Sequence, residues 1–194
     1  MKRRIQITFM LALVSILCVC NSRAEIIWDS GHHAFSEGFE GEVWLLNDAT
    51  ADITGGEIGQ LLCWDTSEVF VYEPGEIDLL RPNDSSTANV YSGTIGFLFA
   101  LGSSNTNIYS ASLDWLGAMD SSQVNLYVET YLLDPTGGNF GDGLLTGTWM
   151  NGETFSIDIA GDETIGHIHF VPEPSSMSIF VIGILMFRRS ARTS

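Results

Sequence analysis

Between Asn47 and Tyr131 the apolar and polar positions repeat. With Thr54, Tyr72, Tyr91, Tyr109 and Tyr127 set in one column, successive anchors are 18, 19, 18 and 18 residues apart, the extra residue falling near Pro74. An aliphatic residue precedes each anchor (Ile53, Val71, Val90, Ile108, Leu126), and two positions earlier stand Ala51, Val69, Ala88, Thr106 and Val124. Alternation of period two belongs to a strand with one buried face, so these side chains are expected inward. A second inward segment starts at Ile58, Ile77, Ile95 or Leu113 and continues three residues later at Leu61, Leu80, Leu98 or Leu116. Turn formers separate the two segments: Gly55-Gly56, Pro74-Gly75 and Ser92-Gly93 on one side, and Asp65-Thr66-Ser67, Asp84-Ser85-Ser86 and Asp120-Ser121-Ser122 on the other. A unit of two strands and two turns buries its apolar edge only by stacking on its neighbours. The pattern therefore predicts an all-β, single-domain β-solenoid, with about five 18-residue coils over residues 47–131.

If the residues before the anchors point inward, the anchors point outward. Tyr72, Tyr91, Tyr109 and Tyr127 then form one exposed column, with Phe70, Asn89, Asn107 and Asn125 beside them. Coils spaced about 4.8 Å apart turn like residues into ladders in which amides pair along the axis and rings stack. This stripe of Tyr and Asn is the candidate ligand face, for an extracellular polysaccharide or for another copy of the chain. The competing expectation is that like residues recur because they stack well. An ice-binding face would favour rows of Thr, which is sparse here.

The flanks predict caps, without which strand edges would stay open. Residues 25–46, broken by Gly31, Gly38 and Gly41 and carrying Val43-Trp44-Leu45-Leu46, are expected to cover the first coil. Asp134-Pro135-Thr136-Gly137-Gly138 ends the periodicity, and residues 132–171 are expected to form a C-terminal β cap. Its strands 143–150 and 153–159 are joined by Asn151-Gly152, the signal of a type I′ hairpin, and Ile165 to Val171 adds one more strand.

Composition narrows the chemistry. The chain has 194 residues, room for one domain, and a formal charge of −16. That charge understates the body: residues 25–171 hold 23 acidic groups against Arg81 alone, a balance of −22. A nucleic-acid partner is excluded, since phosphate binding needs a basic face. No Gly-x-Ser-x-Gly elbow, His-Glu-x-x-His helix or phosphate loop occurs, and the body has no lysine. The many carboxylates read as a solvated surface rather than a glycosidase pair, so no catalysis is expected. Neither metal nor cofactor is expected. His32 and His33 are adjacent and would face opposite ways on a strand, whereas His167 and His169 would share a face but make only a pair. The loop Gly137 to Asp142 resembles a calcium-binding glycine repeat only in a single, misspaced copy. Cys63 is the one cysteine of the body, which rules out an intrachain disulfide there and suggests a small buried residue.

The termini speak to address. Met1-Lys2-Arg3-Arg4, the apolar run Ile5 to Cys20 and Ser22-Arg23-Ala24 together read as a signal peptide over residues 1–24, cut by signal peptidase before Glu25. A lipobox ending at Cys20 would need a small residue where Val19 stands. At the other end, Pro172-Glu173-Pro174 is followed by an apolar segment, 177–187, and a basic tail, 188–194, containing Arg188, Arg189 and Arg192. Prolines hold the motif extended, the apolar run falls short of the about 20 residues of a comfortable span, and arginines after it favour a cytosolic end. Residues 172–194 resemble the PEP-CTERM sorting signal. The resemblance implies recognition by an exosortase-type membrane protease, processing near Pro172, Glu173 and Pro174, and transient anchoring on the way to the cell surface or extracellular matrix of an exopolysaccharide-producing bacterium.

Overall fold

The structure is a computed structural model and describes residues 25–139 and 142–172. The expected signal peptide, Glu173 and Pro174 of the sorting motif, the apolar run and the basic tail lie outside the described residues. In chain order the strands are β1 (Glu25–Trp28), β2 (His32–Phe35), β3 (Phe39–Leu45), β4 (Thr50–Ile53), β5 (Glu57–Cys63), β6 (Glu68–Val71), β7 (Glu76–Pro82), β8 (Thr87–Val90), β9 (Thr94–Ala100), β10 (Asn105–Ile108), β11 (Ser112–Ala118), β12 (Gln123–Asp134), β13 (Leu144–Trp149), β14 (Thr154–Ala160) and β15 (Ile168–Val171). They build a β-solenoid of about six coils. The odd-numbered strands β1 to β11 form one parallel sheet of mostly seven-residue strands, and the even-numbered β2 to β10, with the first part of β12, form a second of four-residue strands.

Register explains the periodicity. Ile53, Val71, Val90, Ile108 and Leu126 are Cα partners in successive strands and have no exposed surface. The second inward segment is equally regular: Ile58, Ile77 and Ile95 make one buried row, and Leu61, Leu80, Leu98 and Leu116 another. Before each short strand the backbone enters the left-handed region, at Asn47, Asp65, Asp84, Gly102 and Asp120, with φ between 52° and 64°. Asn, Asp and Gly tolerate that conformation best, so the Asp-led turns are a backbone requirement rather than a mere polar break. Two of these turns also link coils: the Asn47 amide donates to Asp65 Oδ2 at 3.1 Å and the Gly102 amide to Asp120 Oδ2 at 3.1 Å.

The segment expected as an N-terminal cap is itself a coil. Ile26 pairs with Val43, Trp28 with Leu45, His33 with Ala51 and Phe35 with Ile53, all parallel; β2 keeps the 18-residue step of the array, and β1 pairs at a step of 17. Where the next coil has the small Ala51, this one places the His33 ring, stacked on Trp28 with centroids 4.9 Å apart. Large rings at inward positions cover the end of the core while the backbone continues the repeat.

At the other end β12 runs for 12 residues. Its first part pairs with β10 and β15, and its second part turns away to pair antiparallel with β13. Since β14 lies antiparallel to β13 and parallel to β11, the hairpin joins the two sheets into one path and buries Leu145, Trp149, Phe155, Ile157 and Ile159 against the last coil. The turn differs from the expected type I′. The Gly152 amide donates to Trp149 O at 2.9 Å, and the Trp149 amide to Glu153 O at 2.8 Å, which makes a three-residue loop. Only Gly152 in it has positive φ, 89°. Asn151 keeps ordinary backbone, and its side chain bridges the turn to the coil: it donates to Glu153 Oε2 two residues on and to Ser110 Oγ of the last coil at 2.9 Å each, and accepts from the Glu153 amide at 3.0 Å. The last strand is also shorter than expected: residues Thr164–His167 form a 3-10 turn, and β15 begins at Ile168.

Cys63 is a buried free thiol, and desolvation pushes its pKa up to about 12. It stays protonated and unreactive in the folded chain at neutral pH. Among the described residues no helix is long and apolar enough to cross a membrane.

Candidate functional site

The outward face of the short-strand sheet brings the predicted residues together. Asn89, Asn107 and Asn125 are register partners in β8, β10 and β12, so their amides meet once per coil. Asn125 Nδ2 donates to Asn107 Oδ1 at 3.0 Å, Asn107 Nδ2 to Asn89 Oδ1 at 2.9 Å, and Asn89 Nδ2 to Glu68 Oε1 at 2.9 Å. Every N–H points the same way along the axis and the chain ends on a carboxylate. Aligned amide dipoles terminating on an anion polarise one another, which strengthens each link. Asn125 adds a bond to Asn105 Oδ1 at 2.9 Å.

Beside this column the tyrosines stack. Ring centroids are 5.2 Å apart between Tyr72 and Tyr91, 4.8 Å between Tyr91 and Tyr109, and 4.2 Å between Tyr109 and Tyr127, with interplanar angles of 18° or less. The two inner rings, Tyr91 and Tyr109, are therefore covered on both faces by other rings, and the column presents edges and hydroxyls to solvent. Burial, the hydrogen bond to Tyr127 and the nearby Tyr127 and Tyr91 hydroxyls push the Tyr109 phenol up to about 12. Burial, Asp52 and Tyr91 raise Tyr72. Tyr72 and Tyr109 thus keep their phenolic protons at physiological pH.

What the stripe can do follows from what it has left over. A sugar ring packs its C–H face on an aromatic face, and both faces of the inner rings Tyr91 and Tyr109 are occupied; the Asn amides bond mainly to one another. The geometry fits an internal brace better than an open binding surface. Replacing Asn107 by Leu removes one donor bond to Asn89 and one acceptor bond from Asn125 at a half-buried site. The urea midpoint is expected to fall by an amount equivalent to about 1–3 kcal/mol with the slope unchanged. An unchanged midpoint would mean that the amide column carries none of the stability.

The histidines divide as their positions dictate. His32 faces outward, 3.1 Å from Thr50 Oγ1 and 3.4 Å from Asp52 Oδ2, while the inward His33 donates from Nε2 to Ser30 O at 2.9 Å. His167 and His169 do not share a strand face. His167 ends the 3-10 turn and donates from Nδ1 to Ser122 O at 2.9 Å, whereas His169 lies exposed in β15 beside Asn125. Among the described residues no three His, Cys, Asp or Glu side chains converge on a point that would hold a metal.

Two surfaces escape the periodicity. One is an open groove of about 580 Å³ under the hairpin tip, lined by Glu73, Thr94, Ser110, Asp114 and Glu153 among others. Its Glu153 accepts from Ser110 Oγ at 3.0 Å and from Asn151, and Trp149 Nε1 donates to Ala111 O at 3.1 Å, so these contacts latch the hairpin to the corner of the coil. The other is the outward face of the long-strand sheet, where Trp44, Leu79, Phe97 and Phe99 alternate with the buried rows. Near-continuous apolar strands such as Thr94–Ala100, TIGFLFA, are the signal for it.

Compared with family models, curated proteins and solved structures, the chain matches none of them.

Proposed function

We propose that this is an exported, non-catalytic structural or adhesive component of the cell surface or extracellular matrix, delivered there through its terminal segments. The observation that supports the structural half is the internal use of the repeated polar groups. The Asn column and the Tyr stack spend their hydrogen bonds and ring faces between coils, as in an element whose task is to hold shape. The balance of −22 over residues 25–171 suits a secreted body that repels its neighbours in solution. The address rests on the termini: a basic and apolar leader, and Pro172, Glu173 and Pro174 followed by an apolar run and arginines. Signal peptidase and an exosortase-type protease are the processing partners under this reading. The glycan alternative that uses the Tyr and Asn stripe is weaker, because the inner rings offer edges only.

Fractionation of the producing cell tests the address. Deleting residues 177–194 is expected to release the body into the medium, and replacing Pro172, Glu173 and Pro174 by alanine to leave an unprocessed, membrane-held precursor. Identical distribution of both variants and the parent would remove the sorting reading.

A further inference from the structure

Of the asparagines in the chain, Asn151 alone is followed by glycine. An asparagine side-chain carbon lies within reach of the next backbone nitrogen, and a glycine there has no Cβ to obstruct the approach and a wide choice of φ. We infer that Asn151-Gly152 is a site of spontaneous deamidation, that the hydrogen bonds fastening the hairpin to the last coil hold it unreactive, and that the reaction unfastens them. Water is the only co-reactant. The Gly152 nitrogen loses its proton to solvent and attacks Asn151 Cγ; the Cγ–Nδ2 bond breaks, and the nitrogen leaves as ammonia with a proton taken from water. Water then adds to either carbonyl of the resulting succinimide and opens the ring to aspartate or isoaspartate. Nothing is oxidised or reduced, and the net exchange is water in and ammonia out.

Both reacting groups are tied down in the folded chain. Asn151 Nδ2 donates to Ser110 Oγ and to Glu153 Oε2 at 2.9 Å each, and Oδ1 accepts from the Glu153 amide at 3.0 Å, so the carboxamide is turned away from its own backbone. The nucleophile is engaged as well, since the Gly152 amide donates to Trp149 O at 2.9 Å. These anchors are themselves fixed. Ser110 is buried and donates to Glu153 Oε2 at 3.0 Å, and the Trp149 amide donates to Glu153 O at 2.8 Å. Steric cover plays no part: Asn151, Gly152 and Glu153 are exposed, and a Cβ built on Gly152 would meet nothing within 4 Å. Water reaches the site, and only hydrogen bonding withholds it from reaction.

The product does not fit the latch. An aspartate in place of Asn151 has no N–H to give, so the bonds to Ser110 and Glu153 are lost and a carboxylate stands beside that of Glu153. Like charges at contact distance repel, and Glu73 and Asp114 already line the same groove. Isoaspartate also lengthens the main chain by a methylene inside a loop whose closure depends on the Trp149 and Glu153 pairing. Hydrolysis of an amide runs one way in dilute solution. An opening of the latch that lasts long enough for ring closure is therefore recorded permanently, at the strands that close the end of the core.

This inference goes beyond the scaffold reading and depends neither on sorting nor on a ligand, since purified folded protein suffices to test it. The protein is incubated in neutral buffer, and conversion at Asn151 is followed by peptide mapping with mass spectrometry. The folded parent is expected to convert at least about tenfold more slowly than the chain in guanidinium chloride, and Ser110→Ala and Glu153→Ala each to speed the folded rate about tenfold. Asn107→Leu, which lowers stability without touching the latch, is expected to leave the rate unchanged. In hydrogen exchange, Asn151→Asp is expected to lose protection about tenfold in β13 and β14 while β5, β7 and β9 keep theirs. Absence of conversion in denaturant would overturn the site. Equal rates in folded and denatured protein, no acceleration in either latch variant, or equal acceleration by Asn107→Leu would overturn the gating by the latch. Full protection of β13 and β14 in Asn151→Asp would overturn the unfastening.

Discussion

Val90→Asp is expected to leave the chain largely unfolded at temperatures where the parent is intact. Val90 has no exposed surface and lies between Val71 and Ile108 in a row of aliphatic side chains one coil apart. Aspartate there either ionises without a partner or holds a proton without an acceptor, and both cost several kcal/mol. Against a total stability of about 5–15 kcal/mol, a loss of at least about 4 kcal/mol is a large fraction. Because each coil contacts only its neighbours, the lesion also divides the array into two shorter stacks, each less able to bury its own apolar edge. Thermal melting followed by circular dichroism measures the effect. A variant that melts within a few degrees of the parent would show that Val90 does not face the interior.

Trp149→Ala is the second large effect, and its location differs. Trp149 is 1% exposed, packs on Phe155 at a centroid distance of 4.3 Å and donates to the Ala111 carbonyl. Truncation costs about 3–5 kcal/mol for the lost volume and leaves a buried carbonyl without its donor. The damage should be polarised. Hydrogen exchange is expected to show protection lost first in β13 and β14, whose strands close the end of the core, while β5, β7 and β9 retain theirs. Uniform loss of protection along the whole array would mean that the solenoid unfolds as one unit and that the hairpin is no separate closure.

The array was legible because burial and spacing coincide in it. Ile53, Val71, Val90, Ile108 and Leu126 recur at the coil period and face inward for the same reason in every coil, and the amides of Asn89, Asn107 and Asn125 meet because that register sets them side by side in successive coils. Residues 25–46 were read as a cap rather than a coil because their phase slips. Glu25 pairs with Glu42, 17 positions away rather than 18, and Ser36 stands where a tyrosine would mark the anchor. The loop at Asn151 departs from the local signal because its side chain also reaches Ser110, 41 residues away, a contact that no local pattern contains. The tilt of the rings is a tertiary property as well. Sequence places Tyr91 and Phe97 on outward faces alike, and only the side-chain packing decides that Tyr91 lies between two near-parallel tyrosines while Phe97 meets a tilted Phe99 and a near-parallel Trp115.

The two ends of the rod are not equivalent. At the C-terminal end the hairpin knits the sheets together, whereas β1 and β2 stand at the two extremes of the strand order with no further neighbour among the described residues. A row of unpaired backbone amides and carbonyls is a template for another strand. At the C-terminal end β14 is paired on both edges, with β11 and β13, whereas β15 pairs with β12 alone and keeps its outer edge unpaired among the described residues. The hairpin therefore removes half of the template at that pole: the long-strand sheet is open only at β1, and the short-strand sheet at both β2 and β15. Head-to-tail addition of another copy could extend one sheet but not both, which makes the hairpin a brake on polymerisation built into a protein of stackable coils.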